Sequence, residues 1–187
     1  MVHQLVLEPS DIMTVDGVRT TTPARAVADL LLRLGRYSAV AVVDSSLNRG
    51  LVKPDEINLV RRLLHGRRGA VAARRHLAEA DGRAESPLET RVRLRCVDGG
   101  VRPETLQHPV HSRLGQLLGY GDLAWPSHLL IAEADGVEVH SRPRALIHDR
   151  RRQNDFANAG YTVLRFTWQD TMSTNYIPIA VRAARAR

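Results

Sequence analysis

GDLAWPSHLLIAEADG, residues 121–136, is the stretch on which the fold turns. Leu129-Leu130-Ile131-Ala132 is an unbroken apolar run of strand length. Leu123-Ala124-Trp125 precedes it across Pro126-Ser127, so the two read as strands joined by a reversal. With the hairpin centred between Ser127 and His128, positions whose numbers sum to 255 stand opposite one another, and that pairs Asp122 with Glu133. Directly opposed residues share a face with their Cβ atoms about 5 Å apart, and strand alternation adds Asp135 to the face of Glu133. Three acids at one end of a sheet suit a hard, oxygen-preferring divalent ion, Mg²⁺ or Mn²⁺, rather than zinc. The plainer alternative is a solvated strand end or pairing with arginine. Ligation gains weight because carboxylates at the ends of core strands are costly to bury unpartnered.

Outward from this hairpin the second half reads as helix, three antiparallel strands, helix, strand, helix. Ser86-Pro-Leu-Glu89 opens a helix reaching about residue 98, and strands cover 105–110, 116–124 and 128–134. A helix over 145–159 stops at Gly160, a β-forming run covers 161–166, and a terminal helix covers 177–187. The first half is different. Strands at 12–15 and 18–21 flank an Asp16-Gly17 turn, Thr22-Pro23 caps a helix over 24–34, and further helical segments cover 37–47, 54–64 and 70–80. The acidic, polar stretch 79–85 is the linker, which gives a mostly helical module over 1–84 and an α/β module over 85–187. The fold class is α/β, a mixed sheet flanked by helices behind a small helical module.

Composition sets outer limits. With 187 residues, 43% apolar and 25% charged, the chain is neither disordered nor collagenous, and its one cysteine, Cys96, forms no internal disulfide. No positively charged leader precedes an apolar run and no apolar stretch is long enough for a membrane helix, so a cytoplasmic protein without membrane contact is expected. The balance of 27 basic against 20 acidic residues, +7, favours an anionic partner, with nucleic acid first. Lys53 is the sole lysine; the arginine excess is also what GC-rich coding produces. The charge is shared, +4 on residues 1–84 and +3 on 85–187, so neither module alone reads as the basic piece.

Four further readings surround the hairpin. Two roles are open to Glu89: closing a capping box with Ser86, or leaning over the sheet from the helical face it shares with Val92 and Cys96. His140, seven residues beyond Glu133, suits proton transfer near neutral pH. On the helix that follows, Leu146, Gln153 and Phe156 share a stripe with Asp149, so Asp149 and Gln153 need partners. Its other side carries Arg144, His148, Arg151 and Arg152, either a phosphate-facing row or a solvated face.

The order of these features resembles the very-short-patch-repair (Vsr)-like endonucleases of the restriction-endonuclease-like PD-(D/E)XK superfamily, over residues 85–185. The resemblance is carried by Ser86-Pro-Leu-Glu89, Gly121-Asp-Leu-Ala-Trp-Pro126, Glu133-x-Asp135-Gly136 with His140, Asp149-Arg-Arg-Arg152 and Ala159-Gly-Tyr-Thr-Val-Leu-Arg-Phe166. It implies metal-dependent hydrolysis of DNA phosphodiesters, Asp122 and Glu133 as metal ligands, Glu89 as a helper, and His140 and Asp149 near the scissile phosphate. The superfamily's lysine, expected two residues beyond Glu133, is replaced by Asp135; repair-type relatives that dispense with it use histidine, which raises the importance of His140. Gly160-Tyr161 stands for the usual Gly-Trp, and Ala134 for a bulkier residue. Residues 1–80 resemble the C-terminal region of AbiEi-type antitoxins through Thr20-Thr-Thr-Pro-Ala-Arg-Ala-Val-Ala-Asp29-Leu and Val43-Asp44 to Gly50-Leu-Val. In such proteins a winged-helix DNA-binding domain normally comes first, and residues 1–84 do not read as one.

The expectation is therefore an Mg²⁺-dependent endodeoxyribonuclease, with Mn²⁺ as an equivalent ion. Asp122, Glu133 and Glu89 bind the metal, Asp135, His140 and Asp149 complete the catalytic set, and Arg144, Arg151, Arg152 and Gln153 hold phosphate. The alternative is a catalytically weak DNA- or protein-binding component of a toxin-antitoxin or defence locus. The helical module is left to contact DNA, a protein partner or a second copy of itself.

Overall fold

The computed structural model describes residues 6–136 and 143–186, with the backbone alone over 143–150. Two compact units divide it, Met1–Gly82 and Arg83–Arg187. In the first, β1 (Ile12–Val15) and β2 (Val18–Thr21) pair antiparallel about Asp16-Gly17. Both turn residues have positive φ, +49° and +79°, the mirror-image geometry whose twist suits a two-residue hairpin. The Thr22 hydroxyl accepts from the Arg25 N–H and Pro23 takes the first helical position, which starts α1 (Pro23–Leu31). Then come α2 (Arg36–Asn48), α3 (Ile57–Leu63) and α4 (Ala70–Ala78). The third helix begins later than the sequence suggests because Pro54–Glu56 forms a 3₁₀ turn, its Glu56 carboxylate accepting from the Lys53 N–H at 2.8 Å. Val27, Leu31, Val43, Val60, Leu64 and Leu77 fill the core between these helices. Beside it the buried Arg25 guanidinium pairs with Asp11 at 2.6 Å and Asp29 at 3.2 Å, so a charge that is expensive to desolvate is matched on two sides.

The second unit runs α5 (Pro87–Asp98), β3 (Thr105–His111), β4 (Leu117–Trp125), β5 (Leu130–Ala134), α6 (Pro143–Asn158), β6 (Thr162–Phe166) and α7 (Tyr176–Arg185). The sheet order is β3-β4-β5-β6. The first three strands are antiparallel and β6 lies parallel to β5, a pairing that requires the crossover that α6 supplies. Leu88, Val92 and Cys96 of α5, with Ile177 and Val181 of α7, cover one face over Leu123, Trp125, Leu130 and Ala132. Phe156 of α6 covers the other over Val110, Ala124 and Ile131. This is the expected mixed sheet flanked by helices. Burial pushes the Cys96 thiol up to about 12. On the edge strand β3, Pro109 is exposed opposite Tyr120, where a residue lacking an N–H is tolerated.

The central hairpin keeps the register read from its sequence: Leu123 opposes Ala132, Ala124 opposes Ile131 and Trp125 opposes Leu130. β5 starts two residues late, because Pro126–His128 forms a 3₁₀ turn and Leu129 takes a left-handed φ of +46° to complete the reversal. Close packing holds the register. A Cβ built on Gly121 would lie 2.7 Å from Ile131 Cγ2 and 3.1 Å from two further atoms of that buried side chain. Gly121→Ala is therefore expected to lower stability by about 1–3 kcal/mol, read from the midpoint of urea unfolding; an unshifted midpoint would mean that Ile131 gives way freely.

Candidate active site

Asp122 sits where β3 and β4 lose their regular pleat. The strands keep one offset on either side, Leu106 opposite Leu123 and His108 opposite Gly121, but between them Gln107 takes a φ of +50°. Leu106 and Leu123 belong to the core under α5 and α7, whereas Val110 lies under α6 and Gly121 abuts Ile131 on that side. The two faces thus exchange at 107/122. Asp122, at the exchange point, is half-buried, and its Oδ2 accepts the Ala134 N–H at 2.8 Å. Oδ1 accepts no hydrogen bond among the described residues. Desolvation pushes this carboxyl up to about 6, with the Glu89 and Glu133 carboxylates adding to the rise, against the pull of the Ala134 N–H and of Arg152.

Glu133 is buried and lies between Ala132 and Ala134, both packed toward α5 and α7, so alternation turns it to the α6 side. Two guanidinium groups bracket it, Arg152 at 3.0 Å on Oε1 and Arg165 at 3.1 Å on Oε2. Arg165 stands directly opposite Glu133 in the parallel β5–β6 pair. It also reaches Asp135 at 3.7 Å, and Gln153 Oε1 accepts from its Nε at 2.8 Å and from its terminal NH2 nitrogen at 3.1 Å. Asp122 and Glu133 thus hold different partners, and the plainer alternative of pairing with arginine is realised for Glu133.

Glu89 leans over the sheet, and only half of the capping box forms: Ser86 caps Glu89, but the Glu89 carboxylate does not return to the Ser86 N–H. The Ser86 hydroxyl accepts the Glu89 N–H at 3.1 Å. The Glu89 carboxylate then passes over Ser86, and its Oε2 takes the Glu85 N–H at 2.9 Å and the Gln107 side-chain amide at 3.0 Å. It is buried, and its Oε1 accepts no hydrogen bond among the described residues.

These donors are carboxylate oxygens, the chemistry a hard divalent cation takes. Among the described residues no three His, Cys, Asp or Glu side chains converge closely enough to hold a metal ion, and both Glu133 oxygens are engaged by arginine. Arg152 is half-buried, with its guanidinium 5.7 Å over the Phe156 ring, and Arg151 is exposed on α6. His140 lies outside the described residues, as do the side chains of Arg144, His148 and Asp149. Arg165 and Gln107 are the participants the sequence reading missed. The alternation of Thr162–Phe166 beside β5 is a signal for the first; nothing in the sequence marks the left-handed backbone that accompanies the second.

No family model matches the chain, and no solved structure matches it. Over 170 residues it is 35% identical to two uncharacterized proteins of Mycobacterium tuberculosis, MT2308 of strain CDC 1551 / Oshkosh and Rv2248 of strain ATCC 25618 / H37Rv. The similarity covers 91% of this chain and 62% of each relative, so the chain spans less than two thirds of the proteins it matches. Among the described residues no helix is long and apolar enough to cross a membrane.

Proposed function

We propose that residues 85–187 constitute a metal-dependent DNA endonuclease of the restriction-endonuclease-like kind, acting in the cytoplasm in repair or phage defence. One observation carries the reading: the half-buried Asp122 carboxyl is pushed up chiefly by burial and further by the charges of Glu89 and Glu133, a concentration of negative charge that a cation would relieve. Glu89, Asp122 and Glu133 would hold Mg²⁺ or Mn²⁺ only after drawing together, since as placed no three carboxylates among the described residues meet closely enough around one point and Glu133 is held by arginine. The ion would then supply polarisation of the phosphoryl oxygen and acidification of the attacking water. Arg152 is half-buried and bonded to one Glu133 oxygen; it exchanges that oxygen for a DNA phosphate when substrate enters. Arg165, fixed by Glu133, Asp135 and Gln153, supplies beside Glu133 the positive charge that the superfamily's lysine would bring and Asp135 does not. Its alkyl stem and planar fork hold the carboxylate in orientation. His140 serves as the proton-transfer group with Asp149 orienting it, and Arg144 and Arg151 lie along the DNA.

The double ion pair on Glu133 favours a second reading, a DNA- or protein-binding component of a defence locus that retains the fold without turnover. Supercoiled plasmid separates the two. Under the first reading Mg²⁺ or Mn²⁺ supports nicking, EDTA stops it, and Glu133→Gln reduces it by roughly 100-fold or more. Retained DNA binding with no nicking at any concentration of either ion would establish the second.

A further inference from the structure

The net charge of the first unit is unevenly placed. Between Ile57 and Ala78 the sequence carries six arginines, two histidines and no acidic residue. Arg67 is engaged, paired with Asp29 at 2.6 Å. Arg61, Arg62, Arg68, Arg74 and Arg75 make no ion pair among the described residues, and all five are exposed. Two acids of the unit are committed, Asp29 to Arg25 and Arg67 and Glu79 to Arg36, and Asp55 and Glu56 lie before α3. Arg61, Arg62, His65 and Arg74, from α3, the following turn and α4, line one open cleft of about 560 Å³. Like charges gathered on one corner repel one another, and a polyanion converts that repulsion into binding.

The partner's chemistry follows from the charged heads that the residues around the cleft carry. Guanidinium groups present a planar fork matched to phosphate oxygens. Residues 51–84 contain no Phe, Tyr or Trp, so the corner offers neither the stacking platform of a single-strand binder nor the aromatic anchor of a membrane-surface helix. We infer that the α3–α4 corner binds the sugar–phosphate backbone of duplex DNA, holding it without reading bases, through Arg61, Arg62 and Arg74. None of these residues belongs to the proposed nuclease site.

The test uses the full chain, a short fluorescent duplex and EDTA throughout, so that the outcome does not depend on cleavage. Replacing Arg61, Arg62 and Arg74 together by glutamine is expected to weaken binding at least about tenfold near 0.1 M salt. The slope of log K against log salt should become shallower by about 2 to 3, close to one for each phosphate no longer neutralised. The corresponding triple lysine variant is expected to keep the slope, because charge rather than shape supplies it. Affinity and slope unchanged in the glutamine variant would overturn the proposal, as would an equal flattening of the slope in the lysine variant. Charge-dependent binding to phosphatidylserine vesicles, with duplex affinity untouched by the glutamine variant, would overturn it too and assign the corner to a lipid surface.

Discussion

Asp122→Asn is expected to lose metal-dependent nicking by roughly 10³-fold or more, the scale on which removal of a preorganised charge acts, and at the same time to gain stability at neutral pH. The second effect follows from the sign of the shift. The Asp122 carboxyl is pushed up to about 6 in the folded protein from an ordinary value of 3.8, so the native state holds this proton more tightly than the unfolded chain does. Between about pH 4 and pH 6 release of that proton costs the folded protein more, and stability declines as pH rises, by up to about 3 kcal/mol in total. Asparagine preserves the acceptor for the Ala134 N–H and removes the penalty. The variant should therefore match the parent near pH 4 and exceed it at pH 8 in urea unfolding. Mg²⁺ should raise the melting temperature of the parent at pH 8 and leave the variant unmoved. A gap that does not vary with pH would refute the electrostatic account, and nicking that survives the substitution would refute the assignment of Asp122 as a ligand.

The largest loss of stability is expected from Trp125→Ala. Trp125 is fully buried at the end of β4, and its indole N–H donates to the carbonyls of Val101 at 3.1 Å and Arg102 at 2.8 Å. That side chain fills the space between β5 and the segment linking α5 to β3, and it satisfies two backbone acceptors. Removing it leaves a cavity and deprives both carbonyls of a donor, a combined cost of about 3–5 kcal/mol or more. Trp125→Phe retains most of the volume and lacks the donor, so its smaller loss chiefly measures the hydrogen bonds. Denaturant unfolding of the two proteins checks the ordering; equal losses would mean that packing contributes little at this site.

The hairpin register was legible because local features define it: two apolar runs, a proline after the first, and a reversal too short to permit slippage. Glu89 was legible by its capping position, although its engagement with Gln107 was not. The partners of Glu133 were hidden for a physical reason. Arg165 lies on a parallel strand reached through a crossover helix, and no turn sets a parallel register, so the pairing depends on how α6 packs. The exchange of faces at Gln107 and Asp122 was equally invisible, since alternation presumes an unbroken pleat and a single left-handed residue ends it. The arginine corner was masked because averaging over residues 1–84 sets its positive charges against carboxylates spread over the whole module, of which, among the described residues, only Asp29 pairs with one of its arginines, Arg67.

Pro109 has a consequence for how copies of the chain meet. A rim strand is ordinarily a template on which a foreign strand can zip, and a proline within it is one of the devices that blunt such an edge. Growth of the sheet into fibrils past β3 is thereby disfavoured.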